Sequence, residues 1–140
     1  MKNIIKITHQ IKKTYSHLCE PVMQKYHITR CELDILLFLY NNPELNTAKD
    51  IVEKRGIIKS QASVGIEKLI NKNYLKIIRD KNDKRKYRLY LLEQSEEIIE
   101  DGLKFQQTFN EMIFKNISSQ EQEIFQNILE KIYQNTKEGK

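Results

Sequence analysis

The stretch from Ile57 to Leu92, IIKSQASVGIEKLINKNYLKIIRDKNDKRKYRLYLL, constrains this chain more than any other. Ala62, Ile66, Leu69 and Ile70 recur at spacings of three and four, which predicts a helix with one apolar stripe for a core. Its opposite face carries Lys59, Ser60, Gln61, Ser63, Val64, Glu67, Lys68 and Asn71. Short hydroxyls and an amide near the first turns of a helix can approach base edges, while lysines further along can meet phosphates. Asn73 fits the position after the helix, where a left-handed backbone is needed and Asn tolerates it. The period then changes. Tyr74 to Arg79 and Tyr87 to Leu92 are rich in β-branched, aromatic and aliphatic residues, and Asp80 to Lys86 between them holds turn formers and charge, so a hairpin with a basic tip is expected.

Charge is distributed unevenly. Between Lys54 and Arg88 there are 12 Lys and Arg against 3 Asp and Glu, a local balance of +9 in a chain whose total is +5. The remainder therefore sums to −4, and from Glu93 onward acids outnumber bases 10 to 5. A basic region confined to one helix and one hairpin is the electrostatic footprint of a nucleic-acid binder.

Helix, hairpin and above all Asp83-Lys84-Arg85 followed by Leu89-Tyr90-Leu91 resemble the winged helix-turn-helix of the MarR family of transcriptional regulators, whose wing carries an Asp-x-Arg signature. The resemblance extends to the length of the chain and the order of its helices. It implies that Arg85 enters the minor groove, where a narrow groove concentrates negative potential, and that Asp83 orients it or braces the wing. Ile58 stands where many members have a Ser that caps the recognition helix, so that cap is either missing or moved to Ser60.

A length of 140 residues fits one domain with a sizeable core and leaves no room for a separate enzymatic module. The longest apolar run, Ile35 to Tyr40, is too short to cross a bilayer. The amino-terminal MKNIIKITHQIKK has helical spacing and lacks the apolar core and small-residue cleavage site of a secretory signal, which places the protein in the cytoplasm with Cys19 and Cys31 as thiols.

Along the chain, Ile4, Ile7, Ile11, Tyr15, Leu18, Val22 and Tyr26 define a long first helix, with a kink or break expected near Leu18 to Pro21. Its stripe is either ordinary core or, as the resemblance implies, a helix shared between two subunits. Thr29 and Glu32 form a capping box for a second helix, almost wholly apolar from Leu33 to Tyr40 and so central to the core. Thr47 and Asp50 cap a short third helix ending at Gly56, and the turn into Lys59 completes a helix-turn-helix pattern. Beyond the hairpin, Ile98, Ile99, Gly102, Leu103, Phe109, Met112 and Ile113 outline a fifth helix. Ser118 and Glu121 cap a last one, striped by Ile124, Phe125, Ile128, Leu129, Ile132 and Tyr133. Such apolar terminal helices suggest a partner surface, most simply a second copy of the chain.

The expected architecture is mainly α with a small β-hairpin wing: a single domain over 1–140 in which residues 29–92 form a winged helix-turn-helix lobe, and 1–26 and 93–137 form dimerisation helices. The expected DNA-binding residues are Lys59, Ser60, Gln61, Ser63, Val64, Lys68, Lys84, Arg85, Lys86 and Arg88, with Asp83 as wing support. Two recognition helices would read a pseudo-palindromic double-stranded site. Tyr87 and Tyr90 are read as strand-packing residues. The resemblance also implies a repressor released by a small, often aromatic, ligand bound between the dimer helices and the DNA lobe. Tyr15, Cys19, Leu36 and Tyr40 are the residues for such a cleft, although a plain core would use them equally.

Other chemistry finds little support. His9, His17 and His27 have no metal-site spacing, and there is no Gly-rich phosphate loop or nucleophile motif, so no metal, no cofactor and no enzyme are expected. Cys31 lies in the first turn of the second helix, where the helix dipole favours a thiolate, which leaves a redox-sensing regulator open beside the reading of both cysteines as small buried hydrophobes. A winged-helix module that binds protein instead of DNA is the other alternative.

Overall fold

The computed structural model describes residues 3–138. Six α-helices and one hairpin follow in the order α1 (Ile4–Tyr26), α2 (Arg30–Asn41), α3 (Ala48–Asp50, continuing as a π-helical turn over Ile51–Arg55), α4 (Lys59–Asn71), β1 (Leu75–Arg79), β2 (Tyr87–Leu91), α5 (Glu96–Ile113) and α6 (Ser119–Glu138). The chain divides into two compact units, the first ending at Gln106 and the second beginning at Gln107.

The first unit is built around α2. Thr29 caps it with the reciprocal box: its hydroxyl accepts from the Glu32 amide at 3.2 Å, and its own amide donates to the Glu32 carboxylate at 3.4 Å. Leu33, Ile35, Leu36, Leu37, Phe38 and Leu39 are all buried, so α2 is enclosed on every side. Around it pack Cys19 and Val22 of α1, Ile51, the inner face of α4, Leu75 and Leu89 of the hairpin, and Ile98, Ile99 and Phe105 of α5. Each such side chain contributes roughly 1.5–3 kcal/mol through removal from water. The first turns of α5 thus belong to the core of this unit.

Glu32 is a buried carboxylate at 1% exposure, and its charge is met by Lys72 Nζ at 2.8 Å. Lys72 also donates to the carbonyl of His27, the residue that ends α1 in the left-handed conformation (φ 52°). One lysine therefore ties the end of α1, the start of α2 and the end of α4 together. Asp34 is shared by two guanidinium groups, Arg30 Nε at 3.0 Å and Arg55 at 3.2 Å.

Of the kink or break expected near Leu18 to Pro21, the break does not occur. The helix runs without a break through Pro21, because the burial of Cys19 and Val22 on either side holds the backbone against α2. A missing donor costs one hydrogen bond, and flanking packing outweighs it. The amino-terminal half of the α1 stripe is uncovered: Ile4, Ile7 and Ile11 are exposed, whereas Tyr15, Leu18 and Tyr26 pack against the core.

The second unit contains the end of α5 and α6. The Ser118 box forms as expected, with its hydroxyl accepting from the Glu121 amide at 3.1 Å and its amide donating to the Glu121 carboxylate at 2.8 Å. Phe114 meets Phe125 edge to face at 6.3 Å. The remaining apolar stripe of α6 is 40–53% exposed.

Candidate nucleic-acid interface

Gly56 opens the site. Its φ of +78° lets the chain reverse between Arg55 and Ile57, a conformation that a β-carbon penalises. Ile57 then enters the core and Ile58 precedes α4 without any side-chain cap. Ser60 makes no capping bond either, so of the two arrangements open from sequence, the missing cap is the one present. The first-turn amides of α4 are left without a side-chain acceptor, and the positive end of the helix dipole remains unneutralised.

The inner face of α4 consists of Ala62, Gly65, Ile66 and Leu69, all buried. Gly65 was missed in the sequence stripe. A β-carbon there would stand 2.9 Å from Ile35 Cδ1 and 3.1 Å from Cys31 Sγ, so a hydrogen at this position lets α4 settle onto α2. With the inner face fixed, the opposite one is fixed too: Lys59, Ser60, Gln61, Ser63, Val64 and Lys68 are exposed together on one side. At the far end Asn73 takes φ 62° and the Tyr74 amide donates to the Leu69 carbonyl at 2.9 Å, which turns the chain into β1.

β1 and β2 pair antiparallel in the register Leu75↔Leu91 through Arg79↔Tyr87. On its outer side β2 is finished by a single residue remote in sequence. The Leu89 amide donates to the Asn46 carbonyl at 2.8 Å, and Asn46 Nδ2 donates to the Leu89 carbonyl at 3.1 Å. Buried Asn46 thus serves as a one-residue third strand. Its Oδ1 accepts from the Arg88 guanidinium at 2.8 Å.

The wing tip is held by its own carboxylates. Asp80 accepts from the amides of Asn82 (2.8 Å) and Asp83 (3.3 Å) and from Arg88 Nε at 2.6 Å. The Arg88 hydrogen bond is the main cause of its lowered pKa, about 2. Arg79 Nε donates to the Lys84 carbonyl at 2.6 Å, clamping the turn from the other side. Asp83 accepts from the Arg85 backbone amide at 3.0 Å and approaches its Nε at 3.4 Å. The Arg85 side chain itself is 93% exposed. Tyr87 and Tyr90 are about half exposed, covered by Arg79 and Lys76 respectively, each 5.9 Å from a ring centre.

Two sets of cations in the region differ in what the fold does with them. Arg88 and Lys72 are consumed by Asp80, Asn46 and Glu32. Lys59, Lys68, Lys84 and Lys86 have no ion-pair partner among the described residues and face solvent. Sequence alone did not separate these groups, and it passed over Asn46 and Asp80. The available signal for Asp80 was an Asp two residues before Asn82, the spacing at which a carboxylate accepts a turn amide.

The remaining expected positions are placed as follows. Cys19 and Leu36 are wholly buried, so they line no cleft open to solvent; Tyr15 is half-buried, with its hydroxyl accepting from Gln106 at 3.1 Å. Tyr40 lines an open cleft formed with β2 and α5. Of the two readings left open for Cys31, the thiol is the one the surroundings favour: burial, then the nearby Asp34 and Glu32 carboxylates, push it up, and its Sγ donates to the Gln61 carbonyl at 3.4 Å. Cys19 is pushed up to about 11, chiefly by burial. Among the described residues no group of three or more His, Cys, Asp or Glu is placed to hold a metal ion, and no helix is long and apolar enough to cross a membrane.

A helix-turn-helix whose second helix presents one polar face, followed by a hairpin with a basic tip, defines a winged helix-turn-helix protein. Residues 28–86 match the model of the MarR family. Solved structures of the same fold include a MarR transcriptional regulator from Methanosarcina mazei Go1, 20% identical over 100% of both chains with a TM-score of 0.77. A MarR family transcriptional regulator from Listeria monocytogenes, solved with 26mer DNA, is 17% identical over 96% of this chain and 89% of its own, with a TM-score of 0.84. A MarR protein from Peptoclostridium difficile is 21% identical over 98% and 89%, with a TM-score of 0.80. No curated protein sequence matches the chain. The lobe at residues 28–86 is therefore similar to the MarR family, and the whole chain shares the winged-helix fold of these solved structures.

Proposed function

We propose that the protein is a sequence-specific double-stranded DNA-binding regulator, acting as a homodimeric repressor in the cytoplasm and released by a small aromatic ligand. The observation that carries this reading is the division of charge at the site. Glu32, Asp80 and Asp83 are engaged by Lys72, Arg88 and Arg85, while Lys59, Lys68, Lys84 and Lys86 are left without an ion pair on the outside, where Glu67 is the one carboxylate on the exposed face of α4. Burial of the opposite face of α4 supports Ser60, Gln61, Ser63 and Val64 as the base-facing residues. Arg85 enters the minor groove with Asp83 fixing its backbone. Arg88 acts on DNA indirectly, by holding the wing through Asp80 and Asn46.

Residues 1–26 and 93–137 supply the dimer interface about the 29–92 lobe. Support comes from the uncovered Ile4, Ile7 and Ile11 on α1 and the uncovered stripe of α6, since apolar faces of that extent are uncommon on monomers. Two lobes then read a pseudo-palindromic operator. The DNA in the Listeria monocytogenes relative supports the same mode for this lobe.

The test is selection of bound duplexes from random DNA, followed by gel-shift titration at fixed salt. Arg85→Ala should weaken binding by roughly 1–3 kcal/mol, and four or more neutralised phosphates should make log K fall with log salt at a slope of about −4 or steeper. Binding that ignores both the substitution and salt would refute the reading. Sedimentation at working concentration tests the dimer separately.

A further inference from the structure

We propose that the cleft between the end of α2, the exit of β2 and the first turns of α5 is the binding site of a lipophilic aromatic cation. The cleft holds about 630 Å³, a volume within the range of small-molecule pockets. Its apolar surface is supplied by Tyr40, Leu92, Ile99 and Leu103. Half of Tyr40 is exposed, leaving its ring available to a cation.

The charged members of the lining are Glu93, Glu96 and Glu100, and no Lys or Arg is among them. The side-chain carboxylates of Glu93 and Glu96 have neither an ion pair nor a hydrogen bond to any described residue. Glu100 is approached only by Lys104, at 3.9 Å between two exposed side chains. Acids in the first turn of a helix are ordinary for the helix dipole, but that role requires no apolar cleft beside them. Here unpaired carboxylates rim an apolar and aromatic surface in a chain with net charge +5. An anionic aromatic would meet three like charges there, and a neutral one would gain from the apolar walls alone. A cation gains from the walls, the carboxylates and the tyrosine ring together.

This names the class of the small ligand in the proposed function, and it shifts the site: Tyr40 is kept, while Tyr15, Cys19 and Leu36 give way to the β2–α5 junction. The position also suits a regulator. The Leu92 amide donates to the Tyr74 carbonyl at 3.0 Å, so the lining residue Leu92 also ties the exit of β2 to the end of α4. The inference about regulation rests on the DNA-binding reading; the inference about binding does not.

The experiment is a titration of the full chain, without DNA, by tetraphenylphosphonium and by tetraphenylborate, two ions of the same shape and opposite charge, followed by amide NMR and calorimetry. The phosphonium should perturb the amides of Leu91, Leu92, Ser95 and Ile99, and should bind this cleft at least about tenfold tighter than the borate. The Glu93→Gln, Glu96→Gln double variant should lose about tenfold in phosphonium affinity. Both side chains are exposed and unpartnered, so only a small downward shift of the melting curve, from the lost interaction with the helix dipole, is expected to accompany that loss. Equal or tighter borate binding at these amides, no phosphonium binding, or full affinity in the variant overturns the proposal. Adding selected DNA afterwards separates the two readings: a phosphonium-bound protein that keeps its full DNA affinity refutes ligand release and leaves the cation site standing.

Discussion

Replacing Asn46 by Ala should loosen the wing from a point outside it. The side chain makes two bonds. Nδ2 supplies the Leu89 carbonyl at 3.1 Å in a buried position, and Oδ1 receives the Arg88 guanidinium at 2.8 Å. Truncation leaves the Leu89 carbonyl in the interior without that donor, which costs roughly 1–3 kcal/mol. The Arg88 bond is worth less, about 1 kcal/mol, because Arg88 is 30% exposed and water can replace the lost acceptor. The sum is a destabilisation of about 2–4 kcal/mol. For a chain of this size that is a fall in melting temperature on the order of 10 °C. Arg88→Met removes only the second bond to Asn46 together with the Asp80 pair, and it keeps the Leu89 bond. The two variants are told apart by amide hydrogen exchange, in which Asn46→Ala should speed exchange along β2 while Arg88→Met acts mainly on the turn from Asp80 to Lys86. A melting temperature within about 1 °C of the parent for Asn46→Ala, with unchanged exchange at Leu89, would refute the one-residue-strand argument.

Three further outcomes follow from the same geometry. Asp80 has a folded pKa lowered to about 2, below an unfolded value near 3.9; its contribution is therefore complete above the unfolded value and lost as the pH falls through about 2. Carboxyl NMR should place its midpoint near 2, and a midpoint near 4 would refute the Arg88 brace. Gly65→Ala drives a methyl to 2.9 Å from Ile35 Cδ1, so the overpacking cost of about 1–3 kcal/mol should exceed the helix-propensity gain of about 1 kcal/mol; a stabilised variant in urea unfolding would show that α2 yields freely. Cys19 and Cys31 are pushed up by burial and neighbouring carboxylates, so iodoacetamide at pH 7 should modify the native protein far more slowly than the urea-unfolded one. Equal rates would reopen a thiolate at Cys31.

Sequence by itself determined what depends on neighbours in the chain. The three capping boxes at Thr29, Thr47 and Ser118 were legible because their partners stand three residues away, and that spacing fixes the geometry of a helix start. The left-handed residue Asn73, the polar outer face of α4 and the basic hairpin were legible for the same reason. Tertiary structure decided whatever turns on burial or on groups far apart in the chain. Asn46 meets Leu89 and Lys72 meets Glu32 across more than forty and forty positions of sequence respectively, and no local pattern announces either. The same holds for the charges: a count of lysines and arginines gives the sign of the region, but only folding consumes Arg88 and Lys72 and leaves Lys59, Lys68, Lys84 and Lys86 free. Cys31 states the physical reason most directly. Its place in a helix's first turn favours the thiolate, yet the fold sets it, partly buried, against Gly65 with Asp34 and Glu32 nearby, and partial burial together with two like charges pushes the thiol up.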